Sequence, residues 1–194
     1  MRKVILWASV SLDGYYEGPG GDISWHQVSP QLHAYFNDEI ATHSAFLEGR
    51  RTHQLMTEFW PTADEDPANA GPVAEFAEIW RRITKIVYSR TLTAADAPWA
   101  DRLERRVDVG AVAALKAQPG GDMTVGGADL AATFLELGLV DEVRLFVVPV
   151  LLGAGRLLFA PTGRAENLRL VENRTFDGGV VMLRHEVVRE TSVG

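Results

Sequence analysis

The chain opens with a near-continuous apolar run over 4–10, rich in β-forming residues and closed by Asp13-Gly14, as expected of a central strand covered on both faces. The pattern then breaks. Glu17-Gly18-Pro19-Gly20-Gly21 fits no regular element and predicts a mobile surface loop leading to Trp25. Ser29-Pro30 supplies a helix cap and a first-turn proline, and Leu32, Tyr35, Phe36, Ile40 and His43 follow at helical spacing, predicting a helix over about 30–43.

Short β-like runs then alternate with helical ones. The pattern predicts a strand at 45–48, a helix at 52–59 stopped by Trp60-Pro61, and an acidic, proline-punctuated loop at 62–72. Phe76, Ile79, Trp80 and Ile83 share one face of a helix over 73–83, and a strand at 85–88 ends at Ser89-Arg90. A helix at 111–118 precedes a compact unit: strand 123–125, the junction Gly126-Gly127, and helix 128–137. A long strand follows at 140–148, and the runs 168–176 and 180–188 flank Asp177-Gly178-Gly179 as the arms of a β-hairpin. The alternation predicts an α/β fold with a mostly parallel sheet that ends antiparallel, in one domain over 1–190 with a tail at 191–194.

Composition narrows the function classes. The 194 residues are 46% hydrophobic and 23% charged, as in an ordinary globular protein, and the net charge of −7 argues against a nucleic-acid partner. With no cysteine, disulfides, thiolate catalysis and Cys-based metal sites are excluded, and cytoplasm is the expected compartment. Met1-Arg2-Lys3 before the apolar run imitates a signal peptide, but the run is short and breaks at Asp13-Gly14. No stretch is long enough to span a membrane, and the five histidines form no i, i+4 ligand pair, so no metal site is expected.

Three strand ends carry candidate chemistry. Gly49-Arg50-Arg51-Thr52 sits between a strand and a helix, where unpaired N–H groups, a guanidinium and a hydroxyl suit a phosphate; alternatively it is a helix start with two solvated arginines. Ser89-Arg90 repeats the combination after another strand, where a plain surface turn is the alternative. Gly126-Gly127 opens a helix start to a pyrophosphate, or simply makes a tight turn. Ligands of open α/β sheets gather at the carboxyl ends of strands, where all three lie, and the extra arginines favour NADP over NAD. No G-x-G-x-x-G is present; Gly153-Ala154-Gly155-Arg156 lacks the third glycine.

Five ordered motifs then resemble a known family: SLDGYYEG at 11–18, FLEGRRTH at 46–53, KIVYSRTL at 85–92, TVGGADL at 124–130 and GLVDEVRLFVVPVLLGAGRLLF at 138–159. Together they are similar to the dihydrofolate-reductase-like proteins, which include the reductase domain of the riboflavin-pathway deaminase-reductase. The resemblance implies a three-layer fold with a central mixed sheet flanked by helices, NADPH bound across the strand ends, a small-molecule substrate and a homodimer. It places Arg50 toward the 2′-phosphate, Thr52 toward the pyrophosphate, Ser89 and Arg90 at a second adenosine-phosphate contact, and Gly126, Gly127, Ala128, Asp129 and Leu130 at the pyrophosphate-binding helix start. Gly49 and Arg51 belong to the first of these cofactor-binding sites, with a solvated neighbour as the alternative for Arg51, while 14–25 resembles the lid beside the nicotinamide. Where dihydrofolate reductases carry an acidic residue on the first long helix, this chain reads Leu32-His33-Ala34, which argues against folate reduction.

Hydride transfer belongs mainly to the nicotinamide, so few catalytic side chains are expected. Asp13 is the candidate polar group at the reacting end, although Asp-Gly also makes turns unaided. Trp25 and His33 are candidate pocket residues, with core packing as the alternative for each. Asp141-Glu142 is expected at a solvated edge or dimer rim, and Phe146, Val148 and Leu151 in the core or a dimer contact. The expected activity is an NADPH-dependent reductase of a heteroaromatic or carbonyl-containing compound, with pyrimidine- and pterin-like compounds as candidates; a nucleotide-binding module without turnover, serving as a sensor or dimeric scaffold, is the alternative.

Overall fold

The structure is a computed structural model and describes residues 1–159 and 165–189. Ten strands and five α-helices occur in chain order: β1 (Val4–Ser11), β2 (Tyr15–Glu17), α1 (Pro30–Ile40), β3 (Ala45–Gly49), α2 (Arg50–Phe59), α3 (Pro72–Arg82), β4 (Thr84–Tyr88), β5 (Arg102–Glu104), α4 (Val109–Ala117), β6 (Met123–Gly126), α5 (Ala128–Glu136), β7 (Glu142–Val148), β8 (Arg156–Leu157), β9 (Leu168–Thr175) and β10 (Val181–Val187). Eight strands form one sheet in the order β5-β4-β3-β6-β1-β7-β10-β9. The six from β5 to β7 run parallel, and β10 and β9 close the sheet antiparallel, as the alternating pattern predicts.

Side-chain alternation along the strands separates two cores. Val4, Leu6, Ala8 and Val10 of β1 join Leu47, Met123 and Val125 beneath Val112 and Leu115 of α4 and Leu130 and Phe134 of α5. On the other face Phe46 packs with Ile40 of α1 and Phe76, Ile79 and Trp80 of α3, while Leu32 of α1 covers Phe146 and Met182. The result is the three-layer architecture expected from the motifs. Each fully buried Leu, Ile or Phe stabilises it by roughly 1.5–3 kcal/mol before entropy is counted.

Helix ends are fixed by local chemistry. The Ser29 hydroxyl accepts the Leu32 N–H at 3.2 Å, Asp108 accepts from Ala111 at 2.8 Å, and Pro30 and Pro72 occupy first turns. The first helix ends at Ile40, short of the expected 43, because Thr42 and His43 turn back onto Glu39 and Ile40 and Ser44 bonds to Asp122. Buried Lys85 donates to the Ile83 and Arg81 carbonyls at the end of α3, 4.5 Å above the Trp80 ring.

Several expectations change. The loop expected at 14–25 contains strand β2, which pairs antiparallel with β8; neither short strand has a readable hydrophobic pattern. Strand β5 was likewise invisible, being three residues of alternating charge. Glu142 is not at a solvated edge: it is fully buried, held by Arg144 at 2.6 Å, Arg184 at 2.9 Å and Lys3 at 3.3 Å. Of the three residues expected in the core or a dimer contact, Phe146 and Val148 are buried in the core and Leu151 is 71% exposed, which leaves it outside the core. The expected tail 191–194 lies outside the described residues.

Candidate functional site

The parallel register brings the expected strand ends together. Glu48 of β3 pairs with Gly126 of β6, and Gly49 with Tyr88 of β4, so the starts of α2 and α5 and the Ser89-Arg90 turn share one sheet edge. A Cβ built on Gly49 would meet Leu130 Cβ at 3.8 Å, so the Gly49 backbone lies against α5. Gly127 has φ 91° and ψ 129°, a region essentially restricted to glycine, and a Cβ there would lie 2.6 Å from the Thr52 hydroxyl oxygen. Thr52 and the two glycines therefore form one continuous surface with two helix N-termini opening onto it.

The arginines divide. Arg50 and Arg90 are exposed, and neither forms an ion pair or hydrogen bond among the described residues. Arg51, expected at the phosphate site or as its solvated neighbour, crosses to β2 and pairs with Glu17 at 3.1 Å. Ser89 is buried; its oxygen accepts the Thr91 and Leu92 N–H groups at 3.2 and 3.0 Å, and Arg105 secures the same turn through the Ser89 and Leu92 carbonyls. The turn thus presents Arg90 from a fixed base. Ala128 and Leu130 are buried against the core, and Asp129 is exposed and bonded to Arg156.

Residues that the sequence reading passed over complete the edge. Tyr16 lies beside Thr52; burial pushes its phenol up from the ordinary tyrosine range, with the Thr52 hydroxyl opposing the shift. Glu48 and His53 form a buried pair at 2.9 Å beneath the start of α2. The visible signal was the i, i+5 spacing across a strand-to-helix junction, which has no helical or strand periodicity to expose it. Glu17 and Arg156 face each other across the β2–β8 pairing, two short strands distant in sequence that left no signal of their contact.

The remaining candidates have structural partners. The Asp13 carboxylate accepts the Ser11 hydroxyl at 2.6 Å and the Leu152 and Gly153 N–H groups at 3.1 and 2.8 Å, tying the end of β1 to the 151–155 loop. The Ser11 bond, opposed by partial burial and aided by these backbone N–H groups, holds Asp13 below the usual carboxylate range. Trp25 packs beside the Leu32–Phe146 cluster and donates its indole N–H to the Asp22 carbonyl at 3.1 Å. His33 stands edge-on to Trp60 and Phe76, where burial lowers its pKa, and its ring contacts include none of Gly49, Thr52 or Gly127.

Solved structures of other proteins share this architecture. A pyrimidine reductase-like protein of Corynebacterium diphtheriae superposes with a TM-score of 0.68 at 12% identity, covering 97% of this chain and 93% of that one. The diaminohydroxyphosphoribosylaminopyrimidine deaminase/5-amino-6-(5-phosphoribosylamino)uracil reductase of Thermotoga maritima superposes with a TM-score of 0.64 at 16% identity, covering 96% of this chain and 57% of that longer one. By sequence, the uncharacterized protein YyaP of Bacillus subtilis is 36% identical over 189 residues, 94% of this chain and 93% of its own. The profile of the RibD C-terminal domain matches residues 2–182. On that match across nearly the whole chain, the protein belongs to the RibD C-terminal domain family.

Proposed function

We propose that the protein is an NADPH-dependent reductase of a small heteroaromatic or carbonyl-containing compound, of the pyrimidine class named for its structural neighbours. The observation that carries this reading is the convergence of Thr52, Gly126 and Gly127 at two helix starts, flanked by the guanidiniums of Arg50 and Arg90, which are unpaired among the described residues. Such an edge fits a dinucleotide: the glycine surface admits a pyrophosphate, and two free arginines suit a further phosphate. When bound, the nicotinamide supplies the hydride; the chain's own residues bind, orient and exclude water. Membership in the RibD C-terminal domain family supports the reductase assignment.

The test is NADPH titration followed by fluorescence or calorimetry, with Arg50→Ala in parallel. The expected result is binding by the wild type and a loss of about tenfold or more in the variant, confined to NADPH and sparing NADH. Absence of NADPH binding, or an unchanged preference, would overturn the reading. Oxidation of NADPH across a panel of pyrimidines then separates a turning-over enzyme from a binding module.

We infer also that the protein is a homodimer. All eight residues of the edge strand β9 are exposed, including Leu168, Leu170 and Val171, which supports a second copy covering that edge. Sedimentation should show twice the chain mass, and Leu170→Lys should return the monomer.

A further inference from the structure

Glu17 is an almost fully buried carboxylate, its side chain 9% exposed, and its polar side-chain partners among the described residues are two guanidiniums. Arg51, from the first turn of α2, reaches it at 3.1 Å; Arg156, from β8, lies at 3.8 Å and also bonds Asp129 in the first turn of α5. The carboxylate is thus held between cations anchored at the two helix starts that form the candidate phosphate surface. Tyr16, the preceding residue, stands beside Thr52 on that surface.

The backbone brings the segment there by close contact. Gly155 has φ 130°, and a Cβ on it would lie 2.1 Å from the Glu17 carbonyl oxygen; one on Gly21 would lie 1.9 Å from the Arg51 guanidinium. Leu158 donates to the Gly14 carbonyl at 3.1 Å and β2 pairs with β8, so 14–22 and 155–158 are joined as one flap. An internal anion here has a direct chemical equivalent, since a phosphate oxygen and a carboxylate oxygen accept the same forked donors from arginine.

We propose that Arg51 and Arg156 form a phosphoryl-anion site whose resident occupant is the Glu17 carboxylate, and that an incoming phosphate displaces Glu17 and releases the β2–β8 flap. This rests on the reading of the strand-end edge as a nucleotide site but adds Arg156 and a competitor to it. The competition is electrostatic. Thr52, Glu17, Arg51 and Arg156 all act on the Tyr16 phenol, so a doubly charged phosphate reaching Thr52 meets the Glu17 carboxylate as a like charge. Arg51 is half exposed, and ion pairs of that kind yield readily to a better anion.

The phosphate could belong to a dinucleotide or to a phosphorylated substrate, and the experiment separates them. Inorganic pyrophosphate, NADPH and ribose 5-phosphate are each titrated into the full-length wild type and Glu17→Gln, which keeps the side chain's size and removes its charge. The expected result is a gain in pyrophosphate affinity of about five- to tenfold in the variant, the relief of a site that is occupied most of the time. A parallel gain for NADPH assigns the site to the cofactor, and one for ribose 5-phosphate assigns it to the substrate. Unchanged or weaker pyrophosphate binding overturns the proposal. If pyrophosphate gains while NADPH binds to neither protein, the displaced-anion site stands and the cofactor reading falls.

Wild-type protein gives a second measurement that does not depend on a variant folding. Hydrogen exchange at residues 15–17 and 156–157 should accelerate when pyrophosphate is added, because the flap loses its anchor. Slower exchange there would mean that the anion adds beside Glu17 rather than replacing it, and would overturn the proposal.

Discussion

The Thr52 hydroxyl occupies the position that a side chain on Gly127 would need, 2.6 Å from the place of its Cβ. Two loops distant in sequence therefore specify each other: α2 can begin where it does only because α5 begins with a glycine. Gly127→Ala should lose roughly 2 kcal/mol of stability, from backbone strain at φ 91° together with the clash. Adding Thr52→Ala should recover only part of this, since the backbone strain remains. Urea denaturation of the single and double variants measures both quantities.

Glu142 and its cations form a second coupled unit. Burial alone would push Glu142 up, but hydrogen bonds from Arg144 and Arg184 outweigh it and hold the carboxyl below the ordinary range. A carboxylate with a depressed folded pKa stabilises above its unfolded value and loses that contribution as pH falls through the folded one. Glu142→Gln should cost about 3–5 kcal/mol at neutral pH, because three cations lose their shared partner. The gap between variant and wild type should close in acid, which urea midpoints at pH 7 and pH 3 would show.

His43 works in the opposite region of the scale. Burial, aided by the nearby Arg144 guanidinium, lowers its pKa from 6.5 to about 4, against the opposing pull of Asp122, Glu39 and Glu142. Between these values the unfolded chain binds the extra proton, so stability rises with pH from about 4 to 6.5 and is flat above. The contribution is at most about 3 kcal/mol, and His26 and His33, also lowered by burial, act in the same direction. His43→Gln should flatten the dependence of the urea midpoint over pH 4–6.5; an unchanged slope would remove His43 as its source.

Asp13 separates two roles by a simple substitution. Asp13→Asn keeps one acceptor for the Leu152 and Gly153 N–H groups but removes the charge. The expected outcome is faster proteolysis within 151–155 with NADPH affinity retained. Loss of turnover without any loosening of that loop would instead place Asp13 among the groups that touch substrate.

Much of this architecture is written in periodicity. Strand β1, the helices α1, α3 and α5 and the closing hairpin announce themselves through apolar spacing and turn residues, and the family motifs fall on the edge where the parallel register unites them. What escaped reading was set by contacts between distant segments. Glu17 looked like part of a solvated glycine loop because nothing near it in sequence is cationic; its partners are 34 and 139 residues away. Glu142 looked exposed because a charged strand start usually is, and only the fold supplies Lys3 and Arg184. Its one local sign was Arg144, two residues on and therefore on the same face of the strand.

That charged patch also governs how the last hairpin docks. In the β7–β10 pairing Arg184 stands directly opposite Arg144 and Glu186 opposite Glu142, so like charges face each other across the ladder, while the favourable cross-strand pair Arg184–Glu142 runs diagonally and Arg144–Glu142 runs along β7. Lys3, immediately before β1, completes the lattice by reaching both Glu142 and Glu186. A hairpin added edge to edge could slide by two residues without exposing its apolar face, since β9 is exposed along its length. Such a slide would strand Glu142 without Arg184, leaving a buried charge short of a partner. The lattice is in effect a combination lock on the C-terminal strands, one that opens in acid and whose last digit is Lys3, at the other end of the sequence.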